Sequence, residues 1–184
     1  MAYKLEKLVI GGFLYFVESG TLVDGVTVDE NAFPDVDPID NWNSLGCITE
    51  VNPETEKETD TDYCPSPAGG YEKVDDERVV ADYWKFITRE HSEPFWRMLL
   101  GLRNEIQNGV AQTPLDEKRR YIDGWLKVQA RADDGVDRLV MNIYGRLSLD
   151  ANPKWSKDPT KPALSFQKLY SAVATVEPNG IVAA

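Results

Sequence analysis

Residues 124–149 carry the clearest period in the chain. In their second half Leu139, Met141, Ile143, Leu147 and Leu149 alternate with Arg138, Asn142, Tyr144, Arg146 and Ser148. Apolar groups at every second position put one face of a strand into a core and leave the other polar. Asp133-Asp134-Gly135 stands between the halves, and an Asp-Gly pair supplies the positive φ angles of a tight hairpin turn. The pattern predicts two antiparallel strands, with Lys127, Arg131, Arg138 and Arg146 on the polar face.

Other strand signals surround this hairpin. Residues 8–18 are β-prone and aromatic, and Gly11-Gly12 within them marks a bulge or a close backbone approach. Residues 42–51 form a second strand. Residues 74–89 form another, whose Val79, Val80, Ala81, Tyr83, Trp84, Phe86 and Ile87 put apolar groups on both faces. A sheet with one wet face would alternate, so a second layer or another subunit must cover this strand. Val80, Tyr83, Trp84 and Phe86 are the candidates for contact with such a subunit. Beyond a proline-broken loop at 152–162, residues 164–176 read as the last strand, also apolar on both faces, and Glu177-Pro178-Asn179-Gly180 ends it.

One helix interrupts the strands. Ser92 offers an N-cap, Pro94 suits the first turn, and Phe95, Leu99, Leu102 and Ile106 follow at helical spacing towards a stop at Gly109. With 184 residues, 42% of them hydrophobic, the chain has the length of one domain, residues 1–184. The expected fold is mainly β: an antiparallel β-sandwich or partly closed barrel with one flanking α-helix and long loops. The longest loop, residues 24–41, is rich in Asp and broken by Pro34 and Pro38.

Between residues 42–51 and 74–89 lies E-T-E-K-E-T-D-T-D-Y, where Glu54, Glu56, Glu58, Asp60 and Asp62 alternate with Thr or Lys. Thr favours strands and carboxylates resist burial, so residues 50–62 read as part of a long hairpin or loop projecting from the domain. Composition alone leaves two readings open, a solvated loop or a docking arm.

Chemistry-bearing motifs are sparse. His91 is the single histidine and precedes the helix, where a hydrogen-bonding role fits better than catalysis. Gly11-Gly12 and Gly69-Gly70 are bare pairs, not phosphate-binding loops. Asp35, Asp37 and Asp40 lack the glycine and the terminal glutamate of a calcium loop. No catalytic residue, metal or cofactor is expected, and the chain is not read as an enzyme. Cys47 and Cys64 lack C-x-x-C spacing and suit core or boundary positions, with a disulfide between them left open. A net charge of −11 and a pI near 4.6 oppose a nucleic-acid-binding groove. No apolar run has transmembrane length, and the start of the chain lacks a long apolar signal segment, so a cytoplasmic site of synthesis and no membrane partner are expected.

Several blocks in order carry a family resemblance: W-N-S-L-G-C-I-T-E-V, Y-E-K-V-D-D-E-R-V-V-A-D-Y-W-K-F, S-E-P-F-W-R-M-L-L-G-L, I-D-G-W-L-K-V-Q-A, L-V-M-N-I-Y-G-R-L-S-L-D and A-V-A-T-V-E-P-N-G. Over most of residues 42–180 the chain resembles the major tail tube proteins of long-tailed bacteriophages. The resemblance implies a β-sandwich flanked by a helix, six copies in a ring, and stacked rings with a continuous β-lined lumen through which DNA passes without specific binding. It also implies a virion tail location after assembly in the host cytoplasm, with tape measure, terminator and distal tail proteins as further partners. The family's long connection reaches the neighbouring ring, so Glu54, Glu56, Glu58, Asp60 and Asp62 become an inter-ring arm. Lys118, Arg119 and Arg120, the densest basic cluster, become its candidate counterparts. Repeated six times, the acidic balance would give the lumen a negative potential that keeps DNA from sticking. Terminator and distal tail proteins can share this fold. A monomeric binding module for sugar or protein, with tryptophans on an exposed face, is the reading from another class.

Overall fold

The computed structural model describes residues 9–34, 42–65, 67–101, 106–107, 110–111, 120–132, 137–154, 161–173 and 180–181. Its strands are β1 (Val9–Glu18), β2 (Leu22–Val23), β3 (Val26–Thr27), β4 (Asn43–Pro65), β5 (Tyr71–Thr88), β6 (Ile106–Gln107), β7 (Val110–Ala111), β8 (Tyr121–Ala132), β9 (Asp137–Leu149), β10 (Ala163–Lys168) and β11 (Gly180–Ile181), with one helix, α1 (Glu93–Leu100). The protein is mainly β and antiparallel, as the alternation predicts.

Six strands pair in the order β10-β5-β4-β1-β8-β9, and β9 pairs with β10 again. The pairings thus form a ring. β10 sits between Tyr83–Ile87 of β5 and Gly145–Leu149 of β9. Closing a sheet on itself leaves the strands of the ring without a free edge where both neighbours are present.

Two facing glycines permit the closure. Gly124 of β8 is paired with Gly145 of β9. A Cβ at Gly124 would lie 2.1 Å from the Val17 carbonyl oxygen, and one at Gly145 would lie 2.2 Å from that of Gln167. The Phe16 and Phe166 rings cover the two bare backbones, each within 2.8 Å of the missing Cβ. Glycine in a strand interior marks a tight bend or a close approach, and aromatic cover restores the packing lost with the side chain. Gly12 likewise sits where a Cβ would meet the Gln129 carbonyl, and β1 shifts register between Val9 and Gly11, so the Gly11-Gly12 pair supplies both predicted features.

The main core fills the ring. Leu14, Phe16, Leu45, Ile48, Phe86, Leu126, Val128, Leu147, Leu164 and Phe166 meet there, and Phe95 and Met98 of α1 cover one end. A second cluster lies on the outer face of β1, β8 and β9, where Val17, Trp125 and Tyr144 pack with Val23, Val28 and Trp42. Trp125 Nε1 donates to the Asp29 carbonyl at 2.9 Å, tying down the loop that carries β2 and β3. The expected polar face is corrected: Tyr144 belongs to this cluster, and Lys127 and Asn142 are buried as well. Arg146 holds Asp123 across the strand pair, Nε to Oδ1 2.8 Å, and stacks on Tyr121. That carboxylate raises the guanidinium pKa above its ordinary value.

The helix is shorter than its periodicity suggests. It stops at Gly101, whose left-handed φ of 66° lets its N–H donate to the Arg97 carbonyl; glycine adopts that conformation without a Cβ penalty. Ile106 lies in β6 instead. Ser92 holds the N-cap position, but its hydroxyl makes no capping bond. The last long strand ends at Lys168, short of the expected residue 176, with one further bond from the Leu169 N–H to the Tyr144 carbonyl. Cys47 and Cys64 are both free thiols, Cys47 in the ring and Cys64 exposed far along β4, which closes the disulfide option. Asp35, Asp37, Asp40 and the turn at 133–136 lie outside the described residues.

Arg97 locks α1 to the ring. Its guanidinium donates to both oxygens of Glu18, at 2.7 and 3.2 Å, and the residue is only 8% exposed. Hydrogen bonds to charged groups contribute roughly 1.5–3 kcal/mol. Arg97→Met should therefore cost about 2 kcal/mol in a denaturant titration, with an unchanged β spectrum; a loss below about 0.5 kcal/mol would contradict this role.

Candidate assembly surface: the projecting ribbon

β1 holds β4 only as far as Ile48, and β10 holds β5 only from Tyr83 onward. Beyond those points β4 and β5 pair only with each other among the described residues, from Glu54 opposite Tyr83 to Pro65 opposite Tyr71. At the ordinary strand rise these twelve positions of β4 extend about 40 Å. The predicted projecting hairpin is present, and it is a regular two-stranded ribbon.

A register shift between Glu56 and Lys57 leaves Val80 as the extra residue on β5. β4 keeps its alternation through the shift. Glu54, Glu56, Glu58, Asp60 and Asp62 therefore share one face of the ribbon, with Asp76 directly opposite Asp60 and Arg78 opposite Glu58. The other face carries Lys57, Thr59, Thr61 and Tyr63.

Part of the acidic charge is answered within the ribbon itself. Arg78 Nε lies 3.0 Å from Glu58 Oε2, and Lys85 Nζ lies 2.9 Å from Glu54 and 3.3 Å from Asp150. Glu54 and then Asp150 raise the Lys85 pKa. On the opposite face Lys57 meets Glu77 at 3.0 Å and Lys73 meets Asp75 at 2.7 Å. Exposed pairs such as these contribute roughly 0–1 kcal/mol each. Bonds from Lys73 and then Thr61 hold the Asp75 carboxyl below its usual pKa. That contact is complete above the unfolded pKa and fades as pH falls through the lowered folded value. Glu56, Asp60, Asp62 and Asp76 make no ion pair among the described residues.

Arg120 donates to the carbonyls of Met98 and Leu99 at the end of α1, while Lys118 and Arg119 lie outside the described residues. The cations nearest the acids were legible another way. Counting outward from the turn at 67–70 pairs T-E-K-E-T-D-T with D-D-E-R-V-V-A-D, which puts Arg78 beside Glu58.

The candidate contact strand divides in two. Phe86 is 1% exposed inside its own core and is unavailable to another subunit, which corrects its assignment. Tyr83 and Trp84 are half-buried at the base of the ribbon, where Trp84, Pro53, Met141 and Ile143 line part of a cleft of about 940 Å³. Val79 and Val80 lie beyond the ring, 58% and 54% exposed, and towards the tip Tyr63 and Tyr71 are 66% and 76% exposed. The tryptophans do not make an exposed platform among the described residues: Trp42 and Trp125 are buried, and Trp84 and Trp96 are half-buried against the core.

Among the described residues the ribbon thus has four uncovered surfaces, two strand edges and two faces. A lone two-stranded hairpin is marginal in water, and open edges are templates for another chain. No family model matches the chain, and no curated protein matches it.

Proposed function

We propose that this chain is a structural subunit of a phage tail tube, closing into six-membered rings that stack around an acidic lumen through which viral DNA is ejected. The observation that carries the reading is the ribbon: about 40 Å of paired strand, exposed along both edges, standing on a ring whose own strands are paired. Ordering some two dozen residues costs of order 1 kcal/mol each in backbone entropy, and the ribbon buries almost nothing of itself in return. A partner that covers it would supply the missing burial. A head-to-tail contact between identical copies repeats without closing, which is how a filament grows. The resemblance of the ordered sequence blocks to tail tube proteins supports that partner being the same chain.

The net charge of −11 per chain fits a conduit that must not bind the polyanion passing through it. On this reading the chain has no catalytic role and needs no cofactor. Its other partners are the tape measure, terminator and distal tail proteins, and its location is the virion tail after assembly in the host cytoplasm.

Electron microscopy of the purified chain, with size-exclusion chromatography over a concentration series, tests the proposal. The expected result is a concentration-dependent shift to rings and tubes. A monomer at every concentration would sink it.

A further inference from the structure

The end of the ring opposite the ribbon carries three exposed cations. β5 runs from the acidic ribbon at one end to Thr88 at the other, and Arg89 follows it directly. Lys161 stands beside Arg89, because the Thr88 N–H donates to the Pro162 carbonyl at 3.0 Å. Arg120 occupies the same end, where β8 starts and α1 finishes. All three cations are exposed, and none is paired with a carboxylate among the described residues, although Glu90 and Glu93 share this end. The unpaired acids Glu56, Asp60, Asp62 and Asp76 lie on one face of the ribbon at the opposite end.

We infer that the acidic face of the ribbon docks on the helix-bearing end of a second copy of this chain, against Arg89, Lys161 and Arg120. This rests on the tube reading and specifies its contact. Two copies aligned head to tail bring the ribbon end of one to the helix end of the next. The strand segment of β5 within the ring, Tyr83 to Thr88, is about 20 Å long, so a ribbon of about 40 Å reaches across that end and along the neighbour. Complementary charge of this kind sets register and speeds encounter, and like charge in a wrong register is repelled. The contact then repeats at every copy without using up the donor or the acceptor surface.

Charge reversal tests the contact, read as the critical concentration for assembly by light scattering at low salt. Arg89→Glu with Lys161→Glu should raise it about tenfold or more, and so should Glu56→Lys with Asp60→Lys. Asp60→Lys replaces a like-charge pair with Asp76 by an opposite one, so it firms the ribbon, and lost assembly cannot be ascribed to a weaker arm. The chain carrying all four reversals should assemble again, within about threefold of the wild type, because each reversed arm then meets a reversed acceptor. Wild-type chains that never assemble overturn the tube reading and this inference with it. Wild-type chains that assemble, with paired reversals that assemble equally well or a fourfold variant that stays impaired, overturn the docking surface alone.

Discussion

Removing residues 55–61 together with residues 75–82 should leave a folded subunit that no longer polymerises. The two cuts must be made together, because those segments are the paired halves of the ribbon, with Val80 as the extra residue on one side. Joining Glu54 to Asp62 and Val74 to Tyr83 keeps the outer pairs in register, since Glu54 already faces Tyr83 and Asp62 faces Val74. The deleted residues are almost all exposed, and none belongs to either core cluster. Stability should therefore change by no more than about 0.5–1 kcal/mol, the scale of surface substitutions and exposed ion pairs. Assembly should be lost, because the proposed copy-to-copy contact goes with the ribbon. Truncated chains that still form tubes of normal length would show the ribbon to be a solvated extension.

The opposite outcome is expected from Gly145→Ala. Its Cβ would fall 2.2 Å from the Gln167 carbonyl oxygen and 2.7 Å from the Phe166 ring. Phe166 could shift, but the carbonyl is backbone on β10, the strand that closes the ring between β5 and β9. Relief requires the β9–β10 seam to part, which opens the core over Leu164 and Phe166. A loss of about 3 kcal/mol or more is expected in denaturant titration, the range of severe overpacking. Assembly should weaken through the lost stability, so the variant should show a lowered denaturation midpoint and not merely fewer polymers. A loss under about 1 kcal/mol would mean that the seam is not what holds the ring closed.

Much of the local structure was written in short-range patterns. Period-two alternation located β8 and β9, the Thr-acid repeat located the ribbon, and Ser92 with Pro94 located the start of α1. Each signal is local because a strand or a helix start depends on residues a few positions apart. The patterns failed where a distant segment intervened. Leu102 and Ile106 continue the helical spacing, yet Gly101 ends the helix in a conformation that spacing does not reveal. Lys127 and Asn142 look like solvent-facing residues, yet both are buried, Asn142 in the wall of the cleft that Trp84 and Leu169 also line.

The sequence by itself determined that the chain is antiparallel and β-rich, that a helix starts after Ser92, and that five carboxylates alternate with Thr or Lys along an exposed segment. Tertiary structure alone decided that β10 bridges β5 and β9 to close the ring, and that Phe86 belongs to the interior. It also decided that Glu54 finds Lys85, which Asp150 shares, at the base of the hairpin. The physical reason is one of range. A period fixes which way side chains point from a strand, whereas ring closure and charge pairing depend on which strands meet, and that follows from burying the shared core of segments more than a hundred residues apart.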